Sequence, residues 1–151
     1  MPQITIVQVL RREGLDYAEI INRNKTFFDS LNSGDESKIE YIVYDNLKSF
    51  NVLKFIKNIV GVKYFRKTFL NVKHTFIEAV QLASSEKIIF LKSDDILNLK
   101  NVEHLEKIRP GILKKDLFKI KKIKQDDFNY DDFNLLIKDK KSLWEKIKLV
   151  F

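Results

Sequence analysis

Three short runs are apolar at nearly every position, and they set what this chain can fold into. Ile4-Thr-Ile-Val-Gln-Val-Leu10, Ile39-Glu-Tyr-Ile-Val-Tyr44 and Lys87-Ile-Ile-Phe-Leu91 are rich in β-branched residues, as strands buried on both faces must be. Helical spacing separates them. Asp16 and Glu19 stand at capping-box distance, ahead of Tyr17, Ile20, Ile21, Phe27, Phe28 and Leu31. Asn32 to Asp35 reads as a turn, Phe50 to Ile59 as a helix ending before Gly61, and Val62 to Phe65 as a short strand. Thr75 to Ser84 puts Phe76, Ile77, Val80 and Ala83 on one helical face. Strands alternating with helices predict an α/β single domain with a mostly parallel sheet flanked by helices and joined by right-handed crossovers. The three apolar runs are expected in the interior of that sheet.

The chain has 151 residues, enough to build a core without staples. Cysteine is absent, which excludes disulfides, thiolate zinc sites and cysteine nucleophiles. His74 and His104 lack partners at ligand spacing and read as structural. No apolar run approaches the ~20 residues that span a bilayer, and Met1-Pro2 leads straight into a strand, so a cytoplasmic protein is expected. The net charge is +7, but 23 of the 28 basic residues are lysines in a chain rich in Lys, Ile and Asn throughout. That favours anions in general; without a helix-turn-helix, stacking strip or zinc site it does not indicate nucleic acid.

Ligands of parallel sheets bind beyond the carboxyl ends of the strands. Those ends are Arg11 to Gly14, Asp45-Asn46, Arg66-Lys67 and Lys92 to Asp95. Asp45 and Asp94-Asp95 have two readings. Carboxylates leaving one sheet edge can hold a nucleotide, one by its base or ribose and one through Mg²⁺ or Mn²⁺ on a diphosphate; Asp is also a good turn and cap residue after a strand. Asp131 and Asp132, ahead of an apolar helical pattern, suit either a general base or the helix dipole. Between Asp45 and Glu78 there is no acidic residue, while Lys48, Lys54, Lys57, Lys63, Arg66, Lys67 and Lys73 intervene. This stretch is expected either to surround the third strand's end with positive charge or to form a solvated face. Glycine-rich phosphate loops are absent.

Beyond Asp95 the pattern loosens. Asn101 reads as the cap of a helix through Val102, Leu105 and Ile108, stopped by Pro110-Gly111. Ile112-Leu113 and Leu117-Phe118 then flank Lys114-Lys115-Asp116, before a cluster at Lys119, Lys121, Lys122 and Lys124. Leu135 onward reads as helical, and Ser142 to Phe151 is amphipathic through Leu143, Trp144, Ile147 and Val150.

Taken in order, several segments resemble the family 2 type of inverting glycosyltransferase, with its GT-A nucleotide-diphospho-sugar fold. Ile4 to Gly14 is similar to that family's opening strand and loop, and Ile39 to Asn46 to its second strand ending in a base-binding Asp. Phe76 to Leu97 resembles its helix, turn and Asp-x-Asp strand end. Gly111 to Phe118 looks like the acceptor-side strand, and Phe128 to Lys138 like the segment supplying the catalytic base. The resemblance implies a nucleotide-binding half over 1–98 and a shortened acceptor half with a C-terminal helix over 99–151. It implies hexosyl transfer with inversion from a nucleotide sugar to a glycan or lipid-linked acceptor hydroxyl. Arg11, Glu13, Asp45, Asn46, Lys92, Asp94 and Asp95 would bind the nucleotide sugar, Asp94 would hold Mg²⁺ or Mn²⁺, and Asp132 or Asp131 would be the catalytic base. Lys92 stands where the family has the first Asp of its metal motif, and Ala79 and Ser85 replace glycines. The alternative is a degenerate, non-catalytic GT-A-like domain acting as a binding or interaction module.

The last ten residues have two destinations, the sheet or, as a peripheral contact, an anionic membrane surface. Docking on the sheet is expected, because the apolar stripe is short and Trp144 is large. Trp144 fluorescence should then be blue-shifted in buffer and indifferent to anionic vesicles; a shift appearing only with vesicles would reverse this.

Overall fold

A computed structural model describes residues 4–31, 39–49, 51–56, 59, 61–68, 71–97 and 111–124. The elements are β1 (Ile4–Leu10), α1 (Tyr17–Leu31), β2 (Ile39–Asp45), α2 (Leu53–Ile56), β3 (Val62–Arg66), α3 (Val72–Leu82), β4 (Lys87–Leu91) and β5 (Ile112–Leu113). A 3-10 turn (Lys114–Asp116) then leads into α4 (Leu117–Lys122). The sheet order is β3-β2-β1-β4-β5, with the first four strands parallel and β5 antiparallel to β4. The three apolar runs are therefore interior strands, as expected of an α/β sheet flanked by helices.

Every residue of β1 and β2 is buried. Ile4, Ile6 and Leu10 pack with Tyr41, Val43, Ile89 and Leu91 under Tyr17, Ile20, Ile21 and Phe28 of α1. Val7, Val9, Ile42, Ile88 and Phe90 form the other face, under Phe76, Ala79 and Val80 of α3 and Ile120 of α4. Asp16 caps α1 by accepting from the Glu19 N–H at 3.2 Å. The Glu19 side chain does not complete a capping box; it turns to Arg23, 3.7 Å away.

Three boundaries differ from expectation. α3 begins at Val72 rather than Thr75, because the Asn71 side chain accepts from the His74 N–H. The helix expected from Phe50 to Ile59 is, among the described residues, one turn at Leu53–Ile56. The expected acceptor-side strand over 111–118 keeps only two strand residues before the chain turns helical. Gly111 permits that short pairing, since a Cβ there would lie 3.1 Å from the Ile88 carbonyl oxygen. On α4 the lysines 119, 121 and 122 ring the exposed side while Ile120 faces the core, which makes their cluster a solvated face.

At the amino edge of the sheet a buried acid replaces apolar packing. Glu40 accepts from Thr5 Oγ1 at 2.7 Å, the Ser84 N–H at 2.8 Å and Ser84 Oγ at 2.7 Å, and is ion-paired with Lys63. Burial pushes the Glu40 carboxyl up, but the bonds from Lys63, Ser84 and Thr5 outweigh it and hold the group at about 2. A lowered folded-state value stabilises the protein above the ordinary 4.5, and that contribution disappears as pH falls toward 2. Glu40→Gln should therefore cost roughly 2–3 kcal/mol in urea unfolding at pH ~7, with the gap to the parent narrowing below pH ~4.5 and closing toward pH ~2. A gap of constant size across that range would show that the charge is not what stabilises.

Candidate functional site

Because β1 to β4 run parallel, the four strand-end segments emerge along one edge, and a web of buried polar groups sets their loops. Ser93, almost wholly buried, accepts from the N–H groups of Arg11 at 2.8 Å and Arg12 at 3.2 Å and donates to the Val9 carbonyl at 3.1 Å. One hydroxyl thus ties the loop after β4 to the loop after β1. Asn46 does the same for β2. Its N–H donates to the Leu10 carbonyl, its amide to the Lys67 carbonyl, and its Oδ1 accepts from Thr75 Oγ1 at 3.0 Å and the Arg11 guanidinium at 3.5 Å.

Asp45 is wholly buried, with no face toward solvent. Oδ1 accepts from the Leu47 N–H at 2.9 Å; Oδ2 accepts from the Tyr64 hydroxyl at 2.5 Å and lies 3.6 Å from Arg66 Nε. Burial, together with the bond to this carboxylate, raises the Tyr64 phenol above its ordinary value. Arg66 also donates to the Leu47 carbonyl at 3.1 Å. Asp45 and Arg66 thus anchor the loop after β2 from inside.

Asp94 does reach solvent, where its Oδ2 lies 3.5 Å from Arg12. Asp95 turns back on its own loop, Oδ2 accepting from the Lys92 N–H at 2.8 Å. Glu13 accepts from the Ser49 N–H at 3.4 Å, bridging the loops after β1 and β2. Asp131 and Asp132 lie outside the described residues, as do His104 and the segment carrying Trp144. Among the described residues, no three His, Asp or Glu side chains gather as a metal-binding group.

Four of the seven basic residues expected around the end of β3 have partners within the fold. Lys63 pairs with Glu40, Arg66 with Asp45, and Lys67 with Glu78 at 2.7 Å, while Lys73 donates to the Lys121 carbonyl. Burial pushes the Glu78 carboxyl up, but its bonds to Lys67 and Tyr44 leave it lowered overall. Beside this pair a cleft of about 360 Å³ opens between Phe65, Lys67, Glu78 and Leu82.

Two organising residues escaped the sequence reading. Gln8, wholly buried in β1, donates to the carbonyls of Lys92 and Asp95, both at 3.0 Å, and accepts from Asn24 and from Tyr41. Asn24, wholly buried in α1, also donates to the Asp95 carbonyl and accepts from the Leu97 N–H at 2.8 Å. The signal was present, since an amide inside an apolar strand and another on the apolar stripe of a helix each need a buried partner. Gln8→Met keeps the volume and removes the donors. It should cost about 2–4 kcal/mol and speed amide exchange at Lys92 and Leu97 while the β2 amides stay protected. Unchanged exchange at those two amides would mean that the loop holds itself.

No family model matches the chain, and no curated protein matches it. Among solved structures it is similar to S. aureus TarS 1-349 in complex with UDP-GlcNAc, at TM-score 0.49 and 16% identity over 70% of this chain and 30% of that one. TarS 1-349 in complex with UDP gives TM-score 0.48 and 15% identity over 70% and 31%. TarS without the 1-349 limit gives TM-score 0.47 and 13% identity over 70% and 19%. The chain therefore spans less than a third of the length of these structures.

Proposed function

We propose that this chain is a nucleotide-sugar-binding domain of the inverting glycosyltransferase kind. The observation that carries the reading is the convergence of the donor-side segments. Arg11 to Glu13, Asp45-Asn46 and Lys92 to Asp95, each of which resembles a donor-binding motif, leave parallel strands along one edge and are cross-linked there by Ser93 and Asn46. In this reading Asn46 and Glu13 line the nucleotide, Asp45 braces the loop behind them, and Arg11, Arg12 and Lys92 face the diphosphate. Asp132, or Asp131, takes the proton of an acceptor hydroxyl on a glycan or lipid-linked acceptor. The hydroxyl oxygen then bonds to the anomeric carbon opposite the departing nucleoside diphosphate, which leaves with the electrons of the broken C–O bond and inverts the centre.

A second reading, a non-catalytic binding module, is favoured by one observation: Lys92 occupies the place of a carboxylate. One set of measurements separates the two. UDP and UDP-GlcNAc, the molecules crystallised with TarS, are suitable first probes, followed by other nucleotide sugars. Binding at ~100 times Kd should raise the melting temperature by roughly 5–10 °C. An active enzyme should also release the nucleoside diphosphate when acceptor is supplied, and Asp132→Asn should lower that release by at least about 100-fold without removing the thermal shift. A shift without turnover selects the binding module. No shift with any nucleotide sugar overturns the nucleotide-sugar reading and leaves only a module that binds a partner or a glycan.

A further inference from the structure

The metal that the glycosyltransferase resemblance implies does not suit the donors at the end of β4. Lys92 brings an ammonium where a first carboxylate would stand. Asp95 uses Oδ2 to accept the Lys92 N–H, which closes the loop on itself. Asp94, the exposed carboxylate, has a guanidinium 3.5 Å from its Oδ2. A divalent cation there would meet one exposed carboxylate already paired with a guanidinium, with a lysine in place of the second acid, whereas hard cations of this type need several oxygen ligands with little opposing charge. Two backbone donors of the loop after β1 are also not turned to an anion, as those of helix N-termini and glycine-rich loops are elsewhere. The N–H groups of Arg11 and Arg12 are directed at Ser93.

Charged side chains remain. Arg11 is exposed and oriented toward the end of β2 by Asn46 Oδ1. The Arg12 side chain is 68% exposed in its pair with Asp94, a surface contact weak enough to be exchanged for a diphosphate, to which a guanidinium can bond through two N–H groups at once. Lys92 lies beside them on the neighbouring strand end. We propose that this edge binds a nucleoside diphosphate without a divalent cation, its charge being met by the side chains of Arg11, Arg12 and Lys92. The inference rests on the nucleotide-sugar reading above and adds how the diphosphate is held.

Calorimetric titration of the full chain with UDP, once in EDTA and once in MnCl2, tests it. The expected Kd values agree within about threefold, and Arg12→Gln and Lys92→Gln each weaken binding about tenfold in EDTA. Binding at least about tenfold tighter with Mn²⁺ overturns the inference and leaves the nucleotide-sugar reading standing. Equal binding in both buffers that neither variant disturbs overturns the assignment to these cations. No binding in either buffer overturns the inference; if the other nucleotide sugars also fail to bind, the reading beneath it falls as well. Should a variant fail to fold, the two buffers with the parent chain still decide whether a metal is needed.

Discussion

β1 has no side that faces water, and much else in the molecule follows from that. All seven of its residues are buried. Five are apolar and feed the two cores, but Thr5 and Gln8 carry polar groups into the same interior, on opposite faces of the strand. A buried donor or acceptor left unsatisfied costs about 1–3 kcal/mol, so each must recruit partners from elsewhere. Thr5 finds Glu40, and with it the turn at Ser84 and Ser85. Gln8 finds Asn24, Tyr41 and the loop after β4. The central strand therefore clamps the sheet at both edges, one for stability and one around the candidate site.

That clamping also shapes the chemistry available at the carboxyl edge. The groups that would ordinarily meet a ligand, such as the Asp45 carboxylate and the amides of Arg11 and Arg12, are used to brace the loops. The side chains exposed past the braces include Arg11, Arg12, Glu13 and Asp94. A frame held by hydrogen bonds fixes the backbone from which these side chains leave, which is what the proposed capture of a diphosphate requires. Net charge is a poor guide to this arrangement. Of the seven basic residues between Asp45 and Glu78, three are paired with acids, Lys63 with Glu40, Arg66 with Asp45 and Lys67 with Glu78.

How much of this was legible depends on the range over which each interaction acts. The strands at 4–10, 39–44 and 87–91, the parallel order implied by intervening helices, and the edge where the loops meet could all be read from residue spacing. Burial on both faces leaves a local signature in β-branched residues, and crossover geometry admits few arrangements. Boundaries set by a single side chain were less visible: Asn71 extends α3 by three residues through one hydrogen bond. Asp45 and Asp94 looked alike in the sequence, each an acid after an apolar strand. In the fold Asp45 is buried against Tyr64, 19 residues away, while Asp94 stays in solvent.

The sequence by itself determined the class of sheet, its interior strands and the edge at which its polar loops gather, because these depend on hydrophobic periodicity, which neighbouring residues carry. Only the tertiary structure decided which of those polar groups brace the site and which are presented to solvent. The bonds that decide it join Gln8 to Asp95 across 87 residues and Ser93 to Arg11 across 82. No local pattern records such partners, since it is the folded sheet that brings them within 3 Å of one another and excludes the water that would otherwise compete.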